Sequence, residues 1–341
     1  MQPRPAAEGL CGLELDVTLN ELTEFWRRLG KRAVYAHERV WFDDKGNGVY
    51  LVYPYERVVS TPRAAIGRLL WQQRGLLARV TRPAEHAGFN AQLYVCDDHD
   101  YDMPRLAKHR RNVVRKGLKQ AEHIGRVDHD LVLRDGYALE LETLSRQTRR
   151  PQLPERKVWE TRLAPWRDTP DTYCWGALAG GRLVAFMLVM NILDEVLVYW
   201  HRSGATAMKN GINNAMLFEL VRETVVRGGA RQLNYGYGSI LSIDGLDWFK
   251  QTMGFRPVTL RQEFVPHPLL RPLLWRPALR LTSRVIRRVA STDRARKVAA
   301  AMALFAGDQA ALEPSAPTAP DEMANVSSGT EGAGIQRDGQ D

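Results

Sequence analysis

The sequence predicts a mixed α/β fold with mostly antiparallel sheets flanked by helices, and three observations carry that expectation. First, "TYCWGALAGGRLVAFMLVMNILDEVLVYWHRSG" (172–204) holds three strand-like runs, 173–179, 182–192 and 195–202, joined by the short turns Gly180-Gly181 and Leu193-Asp194. Second, helix and strand patterns then alternate: helix "NNAMLFELVRETVVRGG", strand "RQLNYG", a short helix over 245–253 and strand "FRPVTLRQEFV". The order is βββαβαβ. Third, the runs in 173–202 are apolar on both faces, as in central strands covered from both sides.

Taken in chain order, "NELTEFWRRLG" has helical periodicity with Asn20 as N-cap. "AVYAHERVWFDDKGNGVYLVYPYERVV" reads as two strands around the turn Asp43 to Gly48. A helix over 62–74 and a strand "LLARVTR" follow. "MPRLAKHRRNVVRKGLKQAEHIG" (103–125) is a basic helix with Leu106, Val113, Gly117, Ala121 and Ile124 near one face. The helix after 204 is capped by Asn213 and stopped at Gly228-Gly229. At the short late helix, Asp244 reads as N-cap with Asp247 at the capping-box position.

The 341 residues leave room for two domains. The expected segments are an amino-terminal half (12–103), a basic connecting helix (104–126), a second, catalytic half (127–265), a basic amphipathic arm (266–306) and a disordered acidic tail (307–341). Charge follows the same division. The formal net charge of +9 concentrates in 105–126, which carries +7, and 266–298, which carries +8, while 299–341 carries −6. In the arm, arginines at 276, 280, 284 and 287 lie apart from Leu274, Ala278, Leu281, Val285 and Val289, so 269–288 can rest on an anionic membrane or dock its apolar stripe on the protein's own body. Three scattered cysteines indicate neither a zinc site nor a disulfide framework. No signal peptide or membrane span is evident, so the expected location is cytoplasmic and peripheral to the inner face of the membrane.

The βββαβαβ order together with "WFKQTMGF" resembles the acyltransferase fold of the GNAT superfamily. "HRRNVVRKGLKQA" and "GLDWFKQ" are similar to the Arg-Asn-rich helix and the Gly-Leu-x-x-Phe-Lys segment of its FemAB-like, type 6 acetyltransferase members. The likeness spans roughly 15–266 and is strongest over 173–265. It implies tandem GNAT-like halves, N-acyl transfer, and an acyl thioester such as acyl-coenzyme A as co-substrate with no tightly bound cofactor. The acceptor would be an amine on an envelope precursor, polysaccharide sugar or lipid. Aminoacyl-tRNA is the alternative donor, and DNA is not an expected partner. A catalytically silent binding module of the same fold, placed on a membrane by its arm, is the reading from another class.

The resemblance distributes roles along the sequence. The turn "GATAMKNGIN" keeps part of the family's donor-binding loop, so Lys209, Asn210, Gly211, Asn213 and Asn214 would face the donor's pyrophosphate. Lys250 stands where many GNAT enzymes place an acid tyrosine, and would stabilise charge on the reacting carbonyl; a snorkelling surface lysine is the plain alternative. Tyr199, His201, Tyr235 and Tyr237 end the two strands beside the cleft, where any could move a proton or simply pack. Arg110, Arg111, Asn112 and Arg115 would receive an anionic acceptor or phosphates, or form a solvated helix face.

Overall fold

The computed structural model describes residues 11–43, 46–86, 88–146, 153–238 and 246–273. Asp244, Gly245, nearly all of the arm and the acidic tail lie outside them.

The first helix, α1 (Cys11–Arg28), starts nine residues before Asn20, which is therefore exposed within the helix and not a cap. Leu19, Leu22, Phe25 and Trp26 form its buried stripe. The stretch 33–53 makes three strands where two were expected: β1 (Ala33–Ala36), β2 (Arg39–Phe42) and β3 (Val49–Tyr53). The additional hairpin turns at His37-Glu38, both at positive φ (53° and 55°), a conformation two-residue hairpins require and neither residue type advertises. Then come α2 (Arg63–Gln72) and β4 (Leu77–Thr81), as expected, and β5 (Phe89–Cys96), which was not.

The basic helix α3 (Lys108–Gln120) ends where Ala121 turns extended, and the residues after it form β6 (His123–Val127), not a continued helix. Two helices, α4 (His129–Ser145) and α5 (Arg156–Asp168), lead to the three expected strands, β7 (Thr172–Ala179), β8 (Arg182–Ile192) and β9 (Glu195–Ser203). A short α6 (Ala205–Lys209) precedes α7 (Ile212–Val221), whose N-cap is Gly211 at φ 74° and not Asn213; the last turns of this helix, Arg222–Arg227, widen to π geometry. The chain continues through β10 (Gln232–Tyr237), α8 (Leu246–Thr252) and β11 (Arg256–Pro266), then a 3-10 turn at Pro268–Leu273.

All eleven strands join one sheet in the order β1-β2-β3-β4-β11-β5-β10-β9-β8-β7-β6, antiparallel except for β3–β4 and β9–β10. Both faces are covered. On one, Phe25, Trp26, Trp159 and Trp166 from α1 and α5 meet Phe186 and Leu188 of β8. On the other, Val114, Ile212, Met216 and Phe218 from α3 and α7 meet Ala177, Ala185 and Met187. Near the β1 end, Ile66 and Leu70 of α2 close over Trp41, Tyr50 and Val80. No helix among the described residues is long and apolar enough to cross a membrane.

Candidate active site

The parallel pairing of β9 with β10 stops at Leu197 and Asn234. Beyond that point β9 follows β8 as far as Ser203, and β10 follows β5 to Tyr237, so the two strands part in mid-sheet. The register of β10 on β5 also shifts between Asn234 and Tyr237, with Gly236 at φ 78°. Such a bulge reverses the alternation of side chains. Tyr235 therefore joins the α3/α7 face and Tyr237 the α1/α5 face, although their spacing would put both on one side.

Across the gap, His201 Nδ1 lies 2.5 Å from the Tyr235 hydroxyl. Burial lowers the imidazole pKa to about 3, with Arg202 adding to the effect, and raises that of the Tyr235 phenol. With ring and phenol both neutral, the tautomer sets the direction of this bond: Tyr235 donates when the ring proton is on Nε2 and accepts when it is on Nδ1. That Nε2 is buried and has no partner among the described residues.

Lys250 joins this pair from α8. It is only 3% exposed, with Nζ 4.5 Å from the Tyr94 ring centroid and 5.4 Å from that of Tyr235. Its Nζ donates to the Tyr237 carbonyl in a long hydrogen bond of 3.4 Å. Burial brings the ammonium pKa down to about 8, against a smaller opposing pull from Asp247. The residue is an enclosed cation on a shelf of tyrosines, not a snorkelling surface lysine.

The structure separates the other two expected catalytic residues from this group. Tyr199 packs edge-on against Trp26 and tilted against Trp166, both at 5.3 Å, on the opposite face. The Tyr237 ring lies there too, under Arg79 at 4.0 Å, with its hydroxyl accepting from Gln262 Nε2 at 3.3 Å. Only its backbone carbonyl reaches Lys250.

The expected donor turn is covered by α3. Lys116 Nζ donates to the Lys209 carbonyl at 3.0 Å, and Arg110 Nη1 to Asn214 Oδ1 at 3.0 Å. Asn213 sits in the first turn of α7 and accepts from the Asn214 side chain, while Asn210 closes α6. A Cβ on Gly117 would lie 2.2 Å from the Gly211 carbonyl oxygen, and one on Gly211 would lie 2.5 Å from that of Val113. Two glycines thus bring the helices into backbone contact. Gly117→Ala is expected to cost about 1–3 kcal/mol of unfolding free energy, read by denaturant titration; an unchanged midpoint would show that the contact can open freely.

The basic residues of α3 divide between inside and outside. Arg110 is buried, its guanidinium 4.8 Å from the Trp248 ring and 5.6 Å from that of Phe249; its Nε has no partner among the described residues, and burial lowers its pKa. Arg111 is half-buried, and Asn112 and Arg115 are exposed. Tyr94 is the lining residue that sequence reasoning missed. Tyr94 was recoverable from the alternation in "FNAQLYVC" once that segment is read as a strand. No group of three or more metal-binding side chains occurs among the described residues.

No family model and no curated protein matches the sequence. Solved structures do. FemX superposes with a TM-score of 0.53 at 11% identity, over 78% of this chain and 98% of its own. The fold is FemX-like. L-PGS from Bacillus licheniformis (TM-score 0.48, 14% identity, 84% and 99% coverage) and a GCN5-related N-acetyltransferase from Kribbella flavida (0.42, 14%, 74% and 95%) are more distant in shape. The FemX-like arrangement agrees with the expected class, a mixed α/β fold with a mostly antiparallel sheet flanked by helices.

Proposed function

We propose that this chain is an N-acyltransferase that moves an activated acyl group onto an amine. The observation that carries the reading is the convergence, where β9 and β10 part, of the neutral His201–Tyr235 pair with the buried cation Lys250. In the tautomer with the ring proton on Nε2, the attacking amine's proton passes to Tyr235 Oη while the phenol proton passes to His201 Nδ1, and the same relay returns a proton to the leaving group. Burial makes His201 a weak base at rest; negative charge growing on the carbonyl oxygen favours the imidazolium when it is needed. Lys250, largely protonated at neutral pH, faces that oxygen.

Acyl-coenzyme A is the first donor in this reading, and the acceptor is an amine of an envelope precursor, polysaccharide sugar or lipid. One observation favours aminoacyl-tRNA as a second: α3 occupies the turn that would cradle a pyrophosphate, while the same helix bears six basic residues and no acidic one and exposes Arg115, Lys116 and Lys119. Native mass spectrometry and thermal shift with coenzyme A thioesters and with aminoacyl-tRNA separate the two. Binding of a thioester that also yields an acylated amine supports the first, and binding of aminoacyl-tRNA alone the second. Binding of neither rejects the enzyme and leaves a silent module.

A further inference from the structure

Three of the most exposed large apolar side chains belong to one face. Trp71 is 57% exposed at the end of α2, Leu76 51% just before β4, and Leu269 67% in the turn after β11. They are tied together through His267, which stacks on Trp71 at 5.0 Å and donates its backbone N–H to the Leu76 carbonyl at 2.7 Å. The Leu269 N–H in turn bonds His267 Nδ1 at 3.2 Å.

The described charged side chains that 62–77 brings to this face are basic. Arg68 and Arg74 are exposed beside Trp71, and exposed Arg32 donates Nη1 to the carbonyls of Gln73 and Arg74, which holds its charge over the end of α2. Neither 62–77 nor 266–273 contains an aspartate or glutamate. Asp43, a nearby acid on β2's outgoing chain, is buried and accepts the Gly48 N–H. The chain leaves this face directly into the segment 266–298 with its net charge of +8.

We infer that the Trp71–Leu76–Leu269 face docks the protein on an anionic lipid bilayer. An aromatic and two leucines would enter the headgroup boundary while the arginines around them meet lipid phosphates. The charge argues against a second copy as occupant, since a two-fold contact would set the exposed Arg32, Arg68 and Arg74 against themselves. The inference is independent of the acyltransferase reading, because none of these residues touches the His201–Tyr235–Lys250 group.

Flotation of the full chain with vesicles of mixed phosphatidylglycerol and phosphatidylcholine, against phosphatidylcholine alone, tests it. The parent should bind the anionic vesicles selectively and release them as salt rises. Trp71→Ala combined with Leu76→Ser should lower the partition coefficient about tenfold with an unchanged melting temperature, and Trp71→Phe should retain most of the binding. These substitutions leave the arm intact, so equal binding by parent and double variant would overturn the inference in favour of the arm alone. Equal binding to both vesicle types would overturn it too. A dimer in sedimentation velocity that the double variant abolishes, without vesicle binding, would assign the face to a second copy instead.

Discussion

Lys250→Met is expected to lower kcat for acyl transfer by about 10²–10³-fold while leaving stability at pH 7 unchanged or higher. The two effects have one cause. The ammonium is held out of water by Tyr94 and Tyr235 with one long hydrogen bond among the described residues, so the folded state bears a desolvation cost that an apolar side chain of similar length removes. pH separates them further. The unfolded chain keeps this proton up to about 10.5 and the folded chain releases it near 8. Between these values the unfolded state binds more protons, so this lysine's contribution to stability rises with pH; below 8 both states are protonated and the full cost remains. Activity runs the other way, falling as pH rises through about 8. Melting temperatures and transfer rates of parent and variant over that range test both. A lysine that merely packs would show the stability trend with no loss of rate.

Tyr235→Phe and His201→Ala should each reduce kcat by about 10²–10⁴-fold, and the double variant should be no slower than the worse single one, because each removes the same relay. Tyr199→Phe and Tyr237→Phe should leave kcat close to that of the parent, since both rings lie across the sheet from Lys250. A rate loss in either of those equal to that of Tyr235→Phe would displace the site. His201 has its own acid signature. Its folded pKa is about 3 against an ordinary 6.5, so stability drains as pH falls through that interval, and His201→Phe should remove this part of the acid sensitivity, read as denaturant midpoints against pH.

The second half of the fold was legible because its signals are local. Gly180-Gly181 and the apolar runs on either side of it mark β7 and β8 without help from the rest of the chain. The first half is legible only in part. The β1–β2 hairpin turns on His37 and Glu38, which carry no glycine or asparagine signature, and β5 is an ordinary alternating segment whose central position depends on its pairing with the distant β10 and β11. That Lys250, His201 and Tyr235 come together was readable from their places at strand ends and on the late helix. That Tyr237 parts from Tyr235 was not, because the reversal comes from a one-residue slip of β10 along β5. The contact of Gly117 with Gly211 was hidden for a similar reason: each glycine looks like an isolated helix or turn residue until the two helices cross.

The place of β11 in the sheet has a bearing on synthesis. The strand completed at Pro266 lies between β4 and β5, two strands made more than 150 residues earlier. While 256–266 are still inside the ribosome, β4 and β5 have no partner on their facing edges, and the emerged chain presents two open ladders to any neighbour. A nascent chain of this protein therefore depends on β11 to close its own centre, and translation stalled short of it should yield aggregates or chaperone-bound chains, not a shorter folded protein.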